Sequence, residues 1–475
     1  MSPAHVWLQV KQQAKPPLHF EMNIAEEIFK KANPAAVAIF HAEQETTYAE
    51  LDKKSAAIAG QLRPLIESLP CPRVGLQCPD GADYIAHALG ILRAGGCFAP
   101  IAPELSAPER ERLIEEVHLD VIVKQTQAGA VLLESPAHAS PPPDWIQPLA
   151  EIRPAFIRFT SGTTGSAKGI TLSHKTLLDR ITAANDGLGI TPVDRILWVL
   201  PMSHHFAVSI MLYLWHGAGI VLPHSNLPGD LLEASKRCGA TVLYAAPFHY
   251  EMLCGAASGE GIHWRLAVST TAPLSTSTAQ AFHKKFGLCP AQALGIIEVG
   301  LPCLNLPAPE FRPASIGRPQ PSFQAKLKDS QLLLRGPGCL DAYLSPWKPR
   351  ADILDGDGWF ATGDIAEIDE QGFITLLGRT STAISIGGMK FFPDEVEFVL
   401  NAHPAVECSR VIARKHPDFG MVPIAEVVAA AGVEPPTCLD LLKLCRRELS
   451  AHKVPVEIHF VEKIPLTPSG KIKRQ

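Results

Sequence analysis

Residues 156–174 read FIRFTSGTTGSAKGITLSH. The start alternates apolar and polar β-formers, and the middle is a run of hydroxyl and glycine residues ending in Lys168. Ser173 is placed to cap a following helix that carries Leu177, Leu178 and Ile181 at helical spacing. The stretch therefore spells a strand, a loop and a helix. Backbone N–H groups freed by glycine, several hydroxyls and one lysine suit a polyphosphate better than other common ligands. Taken alone, the same composition also describes an ordinary surface turn. It is not a Walker A motif, which needs GxxxxGK[ST]. Here Gly162, Gly165 and Lys168 have two residues between each, and Gly169 follows the lysine.

The chain has 475 residues, enough for one large domain plus a smaller one. With 46% hydrophobic and 19% charged residues it is globular rather than disordered. A formal net charge of −5 argues against a nucleic-acid partner. Eleven cysteines without CxxC pairs suit reduced thiols better than a disulfide frame or a zinc site. The first residues lack the apolar core of a secretory signal, and no later run is long and apolar enough for a membrane span. The expected location is cytoplasmic.

Strands and helices alternate along the first third of the chain. Thr46–Arg63 reads as a short strand or turn followed by an amphipathic helix with Leu51, Ala56, Ile58, Ala59 and Leu62 inward. RVGLQC (73–78), DYIAHALGILRAG (83–95), CFAPI (97–101), ERERLIEEV (109–117) and DVIVK (120–124) then follow as strand, helix, strand, helix, strand. This alternation predicts an α/β fold with largely parallel sheets. The proline-rich stretch 135–148 is read as an exposed connection, because the loop after it needs the preceding sheet as a platform.

The loop resembles the TSGTTGxPKG signature of the AMP-forming adenylate-forming superfamily, which includes acyl- and aryl-CoA synthetases, adenylation domains and luciferases. Ala167 stands at the usual proline. Further segments extend the resemblance over about residues 45–475. It implies that Thr160, Ser161, Gly162, Thr163, Thr164, Gly165 and Lys168 hold ATP phosphates. LAVSTTAPLS (266–275) is similar to the family loop beside the adenine, with Thr271, Ala272 and Pro273 at the contact positions. His204 or His205 matches the mouth of the carboxylate pocket. Ala207 stands where amino-acid-activating relatives place an aspartate, which favours an acid without an α-amino group. The family pattern YGxTE is departed from in Leu294-Gly295-Ile296-Ile297-Glu298. Glu298 keeps a hard-cation ligand, whereas the aromatic gives way to Leu294 and the hydroxyl to Ile297. DGWFATGD (357–364) puts Asp364 at a tight turn, where a carboxylate can accept both ribose hydroxyls, and Arg379 is a second nucleotide contact. Gly387 and Gly388 match the loop beside the thiol channel, Ser381 the domain hinge, and PLTPSGKIKRQ ends the chain with Lys471 at the catalytic lysine.

The resemblance implies a large multi-sheet α/β domain over residues 1–380 and a small mobile α+β domain over 381–475. It also implies ATP and Mg²⁺, the ion held by Glu298 and Thr164, with CoA as co-substrate. A carboxylic acid would be activated as an acyl-adenylate and then passed to a thiol, with Lys471 offsetting charge as the domain closes. Alternatives are a carrier-protein thiol as acceptor, or a non-catalytic adenylate-binding homologue, motivated by Leu294 and Ile297.

Overall fold

The computed structural model describes residues 22–126, 129–160, 168–379, 384–386, 389–391, 393–416, 420–430 and 432–464. Among them, two large sheets face a shared layer of helices. In the nine-stranded sheet, Ala291–Ile296, Leu266–Ser269, Val242–Ala245, Arg195–Trp198, Gly219–Leu222 and Val37–His41 are successive neighbours and run parallel. The eight-stranded sheet has Pro154–Thr160, Cys97–Pro100, Arg73–Gln77 and Val121–Gln125 as parallel neighbours at its centre. One apolar core takes Ile39, Ile196 and Val268 from the first sheet and Val74, Phe98 and Phe156 from the second. It closes around the helices Tyr48–Ile66, Ala82–Ala94 and His174–Leu188. Strands buried on both faces read as continuous apolar runs, which is why their sequence pattern was plain.

Two details differ from the sequence reading. A second strand, Lys168–Ser173, lies between the loop and its helix and pairs antiparallel with Pro154–Thr160. Its residues KGITLS hold only three apolar-to-polar alternations, too few to separate a strand from a loop end. Ser173 does cap the helix His174–Leu188, accepting from the Thr176 amide. On the helix Tyr48–Ile66, Ala59 is buried as expected, but Ser55 is buried in place of Ala56, which is exposed. That helix packs so closely on Ala82–Ala94 that a Cβ at Gly90 would lie 2.6 Å from Ile58 Cβ and 2.9 Å from the Ser55 carbonyl.

Beyond a four-stranded antiparallel sheet that ends at Arg379, residues 384–458 form a core of their own. The helices Pro393–Asn401 and Cys438–Glu448 cover a three-stranded sheet there, with Val396, Val399 and Leu400 inward. All eleven cysteines are unpaired. Among the described residues, no helix is long and apolar enough to cross a membrane.

His174 is buried, and its Nδ1 accepts from the Ile24 amide at 3.3 Å, joining the first described helix, Ile24–Lys31, to the core. Burial holds its pKa down to about 4, and the same cause holds buried His249 at about 4. An unfolded histidine takes up its proton near pH 6.5, so their contribution is complete above that pH and is lost as pH falls toward 4. Stability should fall by about 1.4 kcal/mol per pH unit for each such histidine across that window. Urea melts at pH 7 and pH 5 check this: His174→Gln should flatten the slope by one histidine's share, and an unchanged slope contradicts it.

Candidate active site

Parallel strands of the nine-stranded sheet end along one edge at Trp198, Ala245, Ser269 and Ile296. Open α/β sheets bind ligands in the crevice at this edge, where loops leave the strands. The segments carrying His204 and His205, Thr271 to Pro273, and Glu298 all leave from it.

His204 lies on a one-turn helix, Met202–His205, that runs straight into a π-helical turn, Phe206–Ile210. Such turns are uncommon and frequent at functional sites. Its ring is held from both sides. Nε2 lies 2.7 Å from Glu104 Oε1, Nδ1 lies 3.0 Å from Arg158 Nη2, and Arg158 Nη1 donates to the His204 carbonyl at 2.6 Å. An arginine only donates, so Nδ1 is the acceptor and the proton sits on Nε2 toward Glu104. His204 is therefore a neutral, oriented imidazole. Burial lowers its pKa, against the Glu104 hydrogen bond that raises it. His205 instead sets its ring edge-on to Trp198, with centroids 5.9 Å apart.

Arg158 was missed by motif reading. It projects from the strand that precedes the loop, and burial lowers its pKa to about 10 despite the opposing charges of Glu298 and Glu104. The available signal was a charge inside the apolar run FIRF. Arg180 is a second buried cation. It donates to the Ile297 carbonyl at 2.7 Å and twice to the Gly338 carbonyl, at 3.0 and 2.6 Å, fixing the turn that presents Glu298. Gly338 has a φ of 79°, and a Cβ there would meet Arg180 Cα at 2.7 Å. Glu298 Oε1 accepts from Tyr343 Oη at 3.3 Å, and its backbone carbonyl accepts from the Leu340 amide at 2.7 Å. Leu294 is buried in the main core and Ile297 packs against it.

Thr271 has a φ of 78°, a left-handed conformation that a β-branched residue adopts at a cost. Its buried Oγ1 makes no hydrogen bond among the described residues. Strain and an unused hydroxyl coincide at the position expected to meet the nucleotide, with Ala272 and Pro273 next in the same turn. Asp364 is buried, and its backbone pairs in register with Arg379 across the antiparallel strands Phe360–Ile368 and Ile374–Arg379. The two expected nucleotide contacts thus share one rung. Ser161 to Gly165, Ser381, Gly387, Gly388 and Lys471 lie outside the described residues, as do the side chains of Thr160, Lys168 and Arg379.

Residues 27–343 match the family AMP-binding enzyme, and residues 395–471 match the AMP-binding enzyme C-terminal domain. The chain belongs to the AMP-binding enzyme family. It is an adenylate-forming enzyme of the acid–thiol ligase type. A feruloyl-CoA synthase from an Amycolatopsis species is 26% identical, over 93% of this chain and 95% of its own length. A sulfoacetate–CoA ligase from Cupriavidus necator is 30% identical, over 78% and 76% respectively. The amide bond synthetase McbA from Marinactinospora thermotolerans shares the fold, with a TM-score of 0.80 at 24% identity over 95% of this chain and 98% of that one.

The adenylate-forming reading sets a split at Thr271. Thr271→Gly should raise stability by about 1 kcal/mol by relieving the left-handed strain. It should also weaken ATP binding by about two- to tenfold through loss of the hydroxyl. Thermal melts and calorimetric titration with ATP check the two arms.

Proposed function

We propose that the chain activates a carboxylic acid with ATP and transfers the acyl group to CoA. The observation that carries this reading is the gathering of His204, Thr271 and Glu298 at one strand edge in an AMP-binding fold. Two curated relatives act with CoA, as a feruloyl-CoA synthase and a sulfoacetate–CoA ligase. Ala207 is buried in the π-helical turn and offers no carboxylate to an ammonium, which supports an acid lacking an α-amino group.

In this reading a carboxylate oxygen of the acid attacks the α-phosphorus of ATP and pyrophosphate leaves. The loop from Thr160 to Lys168 holds phosphates, Thr271 to Pro273 line the base, and Asp364 with Arg379 takes the ribose. Neutral His204, locked by Arg158 and Glu104, presents an oriented surface at the acid's entry, and preorganised groups of this kind act without reorganising during reaction. Lys471 approaches the developing charge from the small domain, whose boundary we place after residue 380. Mg²⁺ usually takes one or two carboxylates and completes its shell with phosphate oxygens and water. Glu298 fits that requirement as a single carboxylate just beyond the strand end at Ile296. When bound, the ion would neutralise phosphate charge; Thr164 is its second proposed ligand. The unpaired cysteines suit a reducing, cytoplasmic setting.

Ile297 supports a second reading, an adenylate-binding homologue without turnover. Its side chain packs on the core and offers no hydroxyl to the α-phosphate. One missing hydrogen bond to a charged acceptor costs about 1.5–3 kcal/mol, which slows catalysis without abolishing it. The ligase reading therefore predicts pyrophosphate release from ATP that requires an acid and nearly vanishes in Lys471→Ala. Ile297→Thr should speed that release about tenfold or more. ATP binding with no release on any aliphatic, aromatic or hydroxy acid would favour the non-catalytic homologue.

A further inference from the structure

The joint between the two domains is polar, and one carboxylate organises it. Glu109 lies at the third position of the helix Ala107–Val117, where its Oε2 accepts from the Ser106 amide at 3.0 Å. The same side chain reaches across to the small domain. Its Oε1 accepts from Lys453 Nζ at 2.6 Å, and its Oε2 also accepts from the Ser450 hydroxyl. Lys453 donates in turn to Glu395 at 2.9 Å, and the Ser106 hydroxyl donates to the Glu448 carbonyl at 3.1 Å. The Glu109 and Lys453 side chains are only 7% and 10% exposed. Among the described residues, no apolar cluster contains side chains from both sides of this joint.

The docked face is informative. Beside Lys453, His452 packs edge-on to Phe391, with ring centroids 6.0 Å apart. Phe391 ends the second strand of the pair Ile384–Ile386 and Met389–Phe391, which flanks positions 387 and 388. Glu104, whose carboxylate holds the His204 ring, lies five residues before Glu109 in the chain, just ahead of the helix that Lys453 docks on. The hairpin flanking the thiol-channel positions therefore sits on the side of the small domain that meets the acid's entry.

We infer that Glu109 and Lys453 are positioning residues whose buried ion pair holds the small domain in the arrangement that serves thiol transfer. This rests on the ligase reading above. A buried pair of opposite charges is stable only while both partners are present and well aligned, so the joint is closed or open with little between. Without an apolar core to tear, it can open for adenylation and re-form in each turnover.

The two half-reactions separate this role from a general loss of structure. Glu109→Gln keeps the helix cap, because glutamine also serves at the third position of a capping box. Thioester formation from pre-formed acyl-adenylate and CoA should fall at least about tenfold in Glu109→Gln and in Lys453→Met, while acid-dependent pyrophosphate release stays within about threefold. Lys453→Arg should retain most of the thioester rate. Equal losses in both half-reactions, an unchanged thioester rate, or the reverse split would each overturn the proposal. An energy-transfer distance between labels on the helices Tyr48–Ile66 and Cys438–Glu448 gives a readout independent of chemistry. It should lengthen or broaden in Glu109→Gln relative to wild type whether or not any acid turns over, and no change refutes the latch. Absence of both half-reactions in wild type, with that distance shift present, would contradict the ligase reading alone.

Discussion

The hydrogen bonds from Arg158 to His204 join the two large sheets at the place where chemistry is expected. Arg158 belongs to the eight-stranded sheet, and His204 lies just beyond a strand end of the nine-stranded one. Glu104, from a loop of the eight-stranded sheet, closes the chain of contacts on the other ring nitrogen. A buried guanidinium without acceptors would be costly, so the loop after Trp198 must present both a carbonyl and an imidazole lone pair to it. That requirement fixes the ring's tautomer and the start of the π-helical turn. Arg180 imposes a similar constraint below Glu298 through the carbonyls of Ile297 and Gly338. The cleft is therefore shaped by two cations, each close enough to Glu298 for its opposite charge to favour them.

Much of this was legible in the residues. Buried parallel strands announce themselves as apolar runs, and DGWFATGD brings Asp364 opposite Arg379, although within the strand Phe360–Ile368 rather than at the tight turn expected, because pairing with Ile374–Arg379 carries the strand through Gly363. Less legible were features that depend on long-range packing. The strand Lys168–Ser173 is created by its pairing with Pro154–Thr160, not by a pattern of its own. Ser55 replaces Ala56 at the helix interface because Gly90 lets two helices approach, and nothing local to either residue records that approach. Arg158 looked like one charge in a strand; its role appears only when the second sheet supplies partners. The left-handed conformation of Thr271 is likewise invisible in its sequence, since threonine is a poor choice for that backbone.

The contrast between the two parts of the chain bears on function. Both large sheets share one core, which fixes the strand edge that carries His204, Thr271 and Glu298. The residues from 384 onward pack separately and meet the rest through charges and hydroxyls. A site on one shared core beside a separately packed module with a polar joint suits a reaction in two steps, each needing a different group brought to the same carbonyl. Leu294 and Ile297 run against this account, since both side chains serve the core and neither offers a polar group to the nucleotide.

Formation of an acyl-adenylate is tested most directly by isotope transfer. The chain is supplied with ATP, CoA and an accepted acid labelled with ¹⁸O in its carboxylate, and the nucleotide product is weighed by mass spectrometry. The account predicts AMP carrying one ¹⁸O for each thioester formed, because the carboxylate oxygen that attacks the α-phosphorus stays with it. Unlabelled AMP, or ADP with the label in inorganic phosphate, would contradict it.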